Sequence, residues 1–197
     1  MKKQFLLSLT LLIFTTNIFA QDRPQSCENT VTSYVNARGE IIAESKVAKE
    51  YYMTSNAPDA GSNYDERRAN LRNRIKQLLL NYEQKRKNEY SLTTCTYYKT
   101  KSATSKSGRV RKDATIVIPE EYEFIPSSIE HTTNGDMKKG PSIVGRTIKW
   151  TTGTESGRAS TFVRIKAKYT ENFIKKSINQ EIADIKLELN NLGIPAE

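Results

Sequence analysis

The chain has 197 residues, with 31 Lys and Arg against 22 Asp and Glu, one His and two Cys, and a mean hydropathy of -0.64. That length holds one compact domain with appendages and leaves no room for a second full enzyme domain. The low hydropathy excludes a multipass membrane protein, and the excess of cations makes the chain basic overall.

Residues 1–20 read as an export signal. Lys2 and Lys3 precede an apolar run from Phe5 to Phe14, and Ala20 offers the small residue that a signal peptidase requires. The run is too short to span a bilayer, which takes about 20 apolar residues, and no stop-transfer segment follows. No Cys stands at the cleavage point, so a lipid anchor is not expected. Cleavage after Ala20 removes Lys2 and Lys3, which leaves 29 cations against 22 acids, a formal charge of +7. The mature chain is expected in the periplasm or secreted, without an integral membrane span. Cys27 and Cys95 then meet an oxidising compartment and are expected to form a disulfide. Neither belongs to a Cys-x-x-Cys pair, and one His is too few to complete a zinc site with them.

Residues 21–62 hold an N-terminal hairpin or helix and a linker. Val31, Val35, Ile41 and Ile42 flank the turn-forming Asn36-Ala37-Arg38-Gly39, as two short strands would, while a helix from Glu40 to Met53 fits nearly as well. Asn56 to Asn63, with Pro58, Gly61 and Ser62, has the composition of a linker. An amphipathic helix is predicted over 63–89, capped by Ser62 or Asn63. Leu71, Ile75, Leu78, Leu79 and Tyr82 share one face of it, while Arg67, Arg68, Arg72, Arg74 and Lys76 crowd elsewhere.

Residues 90–170 form a β-rich core. Ser91–Lys101, Val110–Ile118, Thr147–Thr152 and Ser160–Tyr169 are rich in β-branched and aromatic residues and are separated by turn signals. In the last strand Phe162, Ile165 and Ala167 do not alternate cleanly with Val163 and Lys166, so its inward face stays open. A second amphipathic helix is predicted over 171–193, where Ile174, Ile178, Ile182, Ile185, Leu189 and Leu192 repeat at helical spacing. Thr170 is its N-cap and Gly193 its left-handed C-terminal stop. The fold class is α+β: an antiparallel sheet or β-sandwich flanked by two amphipathic helices.

The stretch ATIVIPEEYEFIPSSIE, followed by GRTIKWTTGTESGRASTFVRIKAKY, resembles the bacterial immunoglobulin-like conserved repeat of secreted and cell-surface proteins. A strand running into a Pro phrase (Ile116–Pro119), a strand with Trp150, a turn with Gly153 and Gly157, and a long apolar strand (Thr161–Tyr169) carry the resemblance over residues 114–169. Ile118 stands before the Pro where that repeat has an acidic residue. The resemblance implies an immunoglobulin-like β-sandwich with a structural or adhesive role and brings no catalytic residues.

Residues able to do chemistry are few. His131 is the sole group with an ordinary pKa near neutrality, and it stands in a predicted loop without a readable partner. Gly153-Thr154-Glu155-Ser156-Gly157 is not a nucleophile elbow, since its Ser comes one place late. Glu120, Glu121, Glu123, Glu130 and Asp136 form an acidic tract that reads as a solvated loop. The chain is therefore expected to be a non-enzyme without cofactor or metal. The alternatives are a hydrolase using carboxylates around Glu120–Glu130, and a lipid or apolar-ligand carrier whose last helix closes a sheet over a cavity.

The basic tract is the strongest physical feature of the β region. Lys99, Lys101, Lys106, Arg109, Arg111 and Lys112 come without an intervening acid, and Lys138 and Lys139 add to them. Such a surface attracts polyanions, for which the exterior supplies lipopolysaccharide phosphates, teichoic acids, acidic glycans and extracellular DNA. Nucleic acid is the weaker choice, because Tyr97 and Tyr98 are strand neighbours pointing to opposite faces and cannot form one stacking platform. The expected function is that of an exported interaction protein, with an envelope component or another exported protein as partner.

Overall fold

The computed structural model describes residues 21–28, 32–54 and 61–197, with only the backbone of 136–138. The export signal (1–20) and most of the expected linker (55–60) lie outside the described residues. In chain order the elements are β1 (Ser26–Glu28), α1 (Tyr34–Met53), α2 (Tyr64–Leu92), β2 (Thr94–Ser105), β3 (Val110–Val117), β4 (Tyr122–Phe124), β5 (Glu130–Asn134), β6 (Asp136–Val144), β7 (Thr147–Thr154), β8 (Gly157–Tyr169) and α3 (Glu171–Asn191). A 3-10 turn at Pro126–Ser128 joins β4 to β5.

Helix α1 runs through Asn36-Ala37-Arg38-Gly39, which corrects the hairpin reading of this segment. Its buried residues Ala37, Ile41, Ile42, Ser45 and Ala48 recur every three or four positions. Packing of that face outweighs the turn preferences of Asn36 and Gly39. Helix α2 starts where the Asn63 side chain accepts the Glu66 amide at 2.9 Å, while the Glu66 carboxylate reaches back to the Ser62 amide at 2.7 Å. Helix α3 starts at Thr170, whose hydroxyl accepts from the Phe173 amide. It stops at Gly193 (φ 66°), with Ile194 N–H on the Leu189 carbonyl and Gly193 N–H on that of Asn190. Those are the two bonds of a Schellman stop.

Contrary to the expectation of two helices flanking a sheet, the helices pack mainly on one another. Ile41, Ile42, Leu71, Ile75, Leu78, Ile185, Leu189 and Ile194 close a core of their own among α1, α2 and α3. Each helix has one apolar stripe, and three such stripes satisfy one another at one end of the molecule. The carrier reading needed α3 over a sheet, and α3 is instead a member of this bundle.

All strand pairs are antiparallel. One sheet runs β1-β2-β8-β4, with β5 also on β8, and the other runs β3-β7-β6. β8 alternates strictly: Ala159, Thr161, Val163, Ile165 and Ala167 are at most 1% exposed and face inward, which resolves its inward side. With Cys95, Tyr97 and Phe124, Val163, Ile165 and Ala167 meet Ala114, Ile116, Ile148 and Trp150 of the other sheet. Burying each large side chain here contributes roughly 2 kcal/mol. The acidic tract is not all loop, because it contributes β4 and β5. Between β5 and β6 the chain changes sheets at Gly135 (φ 90°), where a Cβ would come within 2.8 Å of the Ala159 Cβ.

An aromatic chain couples the two cores. Tyr97 meets Tyr122 edge-on, Tyr122 stacks on Tyr169 at 4.7 Å, Tyr169 stacks on Phe173 at 5.0 Å, and Tyr90 of α2 closes edge-on against both Tyr169 and Phe173. Edge-to-face and offset pairs of this kind add about 1 kcal/mol each beyond area burial.

Candidate functional site

The disulfide expected from sequence joins Cys27 and Cys95, which stand directly opposite each other on β1 and β2. β1 is only three residues long, but side chains continue its pairing. The Gln25 side-chain amide donates to the Tyr98 carbonyl (3.1 Å) and accepts the Tyr98 amide (3.0 Å). Asp22 exchanges two bonds with Val117 of β3, donating its amide at 2.9 Å and accepting on its carboxylate at 3.0 Å. The segment from Asp22 to Glu28 thus tethers an edge of each sheet.

The basic tract is dispersed over several surfaces. Lys99 and Lys101 lie on the side of β2 that turns toward the second sheet, opposite Val163 and Thr161, and Lys99 is held by Asp22 at 3.1 Å. Lys106 and Arg109 sit in the turn after β2, with Arg109 near Glu155 at 3.8 Å. Arg111 and Lys112 lie on β3 opposite Gly153 and Thr152, and Lys139 lies on β6 opposite Thr151. Lys138 is in β6, its side chain outside the described residues. Arg111 of β3 and Lys139 of β6 flank β7, which itself carries Lys149, and Asp113 faces Thr151 there and accepts its hydroxyl at 2.7 Å.

The acidic residues do not converge either. Glu120 pairs with Arg146 at 3.0 Å, Glu123 with Lys168 at 3.1 Å and Glu130 with Arg164 at 2.6 Å, each carboxylate turned to a different cation. His131 stands on strand β5 opposite Val163, not in a loop, and is exposed. Among the described residues no group of three or more His, Cys, Asp or Glu is placed to hold a metal ion.

The feature that stands out is the outer side of the five-stranded sheet, which no described element covers. The even-numbered residues of β2, β8 and β5 share this side and fall into rows. Tyr98, Arg164 and Glu130 form one row. Thr100, Phe162 and Thr132 form the next, followed by Ser102, Ser160 and Asn134. Tyr98 is 45% exposed, and its ring lies 5.7 Å from that of Phe162 at a tilt of 36°. Most charge on this side is paired across strands, Glu130 with Arg164, Glu28 with Lys166 at 3.0 Å and Glu123 with Lys168, while Arg158, opposite Thr104 at the strand end, adds an exposed cation. Hydroxyls, one amide and balanced ion pairs therefore surround one aromatic pair. The sequence places Tyr97 and Tyr98 on opposite faces, and the structure agrees, with Tyr97 buried and Tyr98 exposed, but the sequence does not single out Tyr98 as a site residue. Sequence reasoning missed Phe162, because the companion comes from β8 by register and not from the neighbouring residue.

The largest buried polar cluster belongs to the helices. Arg86 (1% exposed) and Glu181 (6% exposed) face each other between α2 and α3. Arg86 Nε and Nη2 donate to the two Glu181 oxygens at 2.8 and 2.9 Å, and the Tyr82 and Tyr90 hydroxyls donate to the same oxygens at 2.7 and 2.9 Å. Arg86 Nη1 also reaches the Thr32 carbonyl and Glu89. Burial alone would raise the Glu181 pKa, but bonds from Arg86, Tyr82 and Tyr90 outweigh it and leave the carboxyl below the usual glutamate value. Burial, with the bond to Glu181, pushes the Tyr90 hydroxyl up to about 12. Four donors fill the carboxylate and leave no side open to a substrate, so this cluster holds helices in place.

Among the described residues no helix is long and apolar enough to cross a membrane. Comparison with protein-family models, with curated proteins and with solved structures finds no match.

Proposed function

We propose that this chain is an exported, non-enzymatic binding protein of the envelope or exterior, and that it engages a neutral or weakly charged glycan through the outer side of the five-stranded sheet. The observation that carries the reading is the pair formed by exposed Tyr98 and half-buried Phe162, set among Thr100, Thr132, Ser102, Ser160 and Asn134. A sugar ring presents a face of C–H groups to the electron-rich face of an aromatic ring, and its hydroxyls pair with side chains that both donate and accept. An open sheet face suits an extended polymer better than a small metabolite, which needs a concave pocket. Export is supported by the Lys-flanked apolar leader and by the Cys27–Cys95 disulfide. An immunoglobulin-like identity for the β layer is part of the proposal, supported by two antiparallel sheets packed over a buried Trp150.

A second reading has polyanionic envelope material bound by the basic residues, and the grouping of Arg111, Lys139 and Lys149 on and beside β7 favours it. Co-sedimentation of the mature chain with the insoluble envelope polysaccharide fraction, at low and high salt, separates the two. Glycan stacking predicts retention that persists in high salt. Release of the protein as salt rises means that charge carries the contact and favours the second reading. No retention at either salt contradicts both.

A further inference from the structure

Strand β2 is twelve residues long, and β8 pairs with it over its whole length. On the opposite edge β1 pairs only with Thr94, Cys95 and Thr96, and the Gln25 side chain extends that pairing to Tyr98. Residues of an antiparallel strand turn their backbone N–H and C=O groups alternately to one neighbour and to the other. Thr96 and Tyr98 turn theirs away from β8, toward Gln25, and the ladder to β8 runs on without a bulge. Thr100, Ser102 and Thr104 therefore present theirs on the same edge. All three are exposed, and among the described residues no strand pairs with them there. An edge of this kind is where an extended peptide adds a strand.

The side chains beside this edge decide what it accepts. Lys99 and Lys101 lie on the inner side of β2, opposite the buried Val163 and Thr161, and Lys112 lies on the inner side of β3, opposite the buried Thr152. A short turn after Ser105 leads into β3 at Val110, so the three lysines face the same mouth between the two sheet edges. The chain itself shows what they take: Asp22, from the segment that runs along this edge, sets its carboxylate on Lys99 at 3.1 Å. Lys101 and Lys112 have no acidic partner among the described residues. A second copy of β2 would set lysines against lysines, and like charges across paired strands repel. We propose that the edge of β2 from Thr100 to Thr104 adds one extended, acidic segment of another protein. Its backbone bonds to Thr100, Ser102 and Thr104, and a carboxylate at every second position falls on the side of Lys101 and Lys112. Such a strand lengthens the sheet sideways and leaves Tyr98 and Phe162 uncovered, so the inference is independent of the glycan reading.

Fluorescence anisotropy of a labelled short peptide that alternates Asp with Thr and Val, titrated with the mature chain to submillimolar concentration, tests this. The wild type is expected to bind it, and to bind the same peptide with Lys in place of Asp about 10-fold more weakly or less. Lys101→Glu is expected to reverse that preference. Ser102→Pro removes an outward N–H without touching the ladder to β8 and is expected to weaken binding about 10-fold or more; circular dichroism verifies that both variants fold. In the wild type, amide hydrogen exchange at Thr100, Ser102 and Thr104, followed by NMR, is expected to slow when the acidic peptide is added, a readout that needs no variant. The inference is overturned by absence of binding, by equal binding of the two peptides, or by a preference that Lys101→Glu does not move. It is overturned equally by a folded Ser102→Pro that binds as the wild type does, or by unchanged exchange at the three amides, since either result means attraction of charge without an added strand.

Discussion

Thr152 is fully buried between the two sheets, and its hydroxyl has no hydrogen-bond partner among the described residues. A buried donor left unpaired costs about 1–3 kcal/mol, so replacing it with an apolar group of the same shape relieves that cost. Thr152→Val is therefore expected to stabilise the protein by about 1 kcal/mol, raising the thermal midpoint by about 3 °C for a chain of this size. A lower midpoint in calorimetry would show that the hydroxyl is used. Glu181 is the opposite case, since every oxygen is taken. Its folded pKa lies below the unfolded glutamate value of about 4.3, so its contribution is complete above that value and disappears as pH falls through the folded one. Arg86→Met strands the carboxylate and is expected to cost about 3–5 kcal/mol, while Arg86→Met with Glu181→Met recovers most of it and flattens the loss of stability below pH ~4. A double variant no better than the single one would contradict this account. Neither residue was legible in the sequence, where Arg86 and Glu181 look like two more charges on solvated helix faces. Their meeting depends on how α2 and α3 pack.

At the scale of elements, long periodic segments were legible and short ones were not. The stripes of α2 and α3, their caps at Asn63 and Thr170, and the Gly193 stop follow from local chemistry. So does the disulfide, given export. Strands β4, β5 and β6 are short or polar and are held by pairing with β8 and β7, which the residues themselves do not announce. β6 is an edge strand whose ladder is interrupted near Lys139 and Ser142 and which contains Pro141. Such irregularities keep an edge from templating another chain, and they also hide the strand from pattern reading. α1 was misread because Asn36 and Gly39 are turn formers whose preference tertiary packing overrode. β1 depends most on a single bond. Cys27–Cys95 closes a separation of 68 residues, which constrains the unfolded chain by about 4 kcal/mol on the entropy account. Cys27→Ser with Cys95→Ser is expected to lower the urea midpoint by a corresponding amount, and the wild type with reductant should follow it. An unchanged midpoint would mean that Gln25 and Asp22 alone hold the segment.

The whole molecule is a helical bundle and a pair of packed sheets joined by an aromatic chain. That division was not visible in the sequence, because an apolar stripe on a helix does not say whether its partner is a sheet or another helix. It decides which surfaces remain open. With the helices occupied by one another, the outer side of the five-stranded sheet is left uncovered, and register places Phe162 beside Tyr98 on it. The basic tract, which looked like one feature along the chain, spreads across turns and strands that face different ways.

The account rests on those two rings, and co-sedimentation with envelope polysaccharide, comparing the wild type with Tyr98→Ala/Phe162→Ala, tests them most directly. Both side chains sit outside the buried cores, so the variant should keep the wild-type circular dichroism and thermal midpoint. With each ring contributing on the order of 1 kcal/mol, retention is expected to fall about 10-fold or more. A folded double variant that binds as well as the wild type would contradict the account.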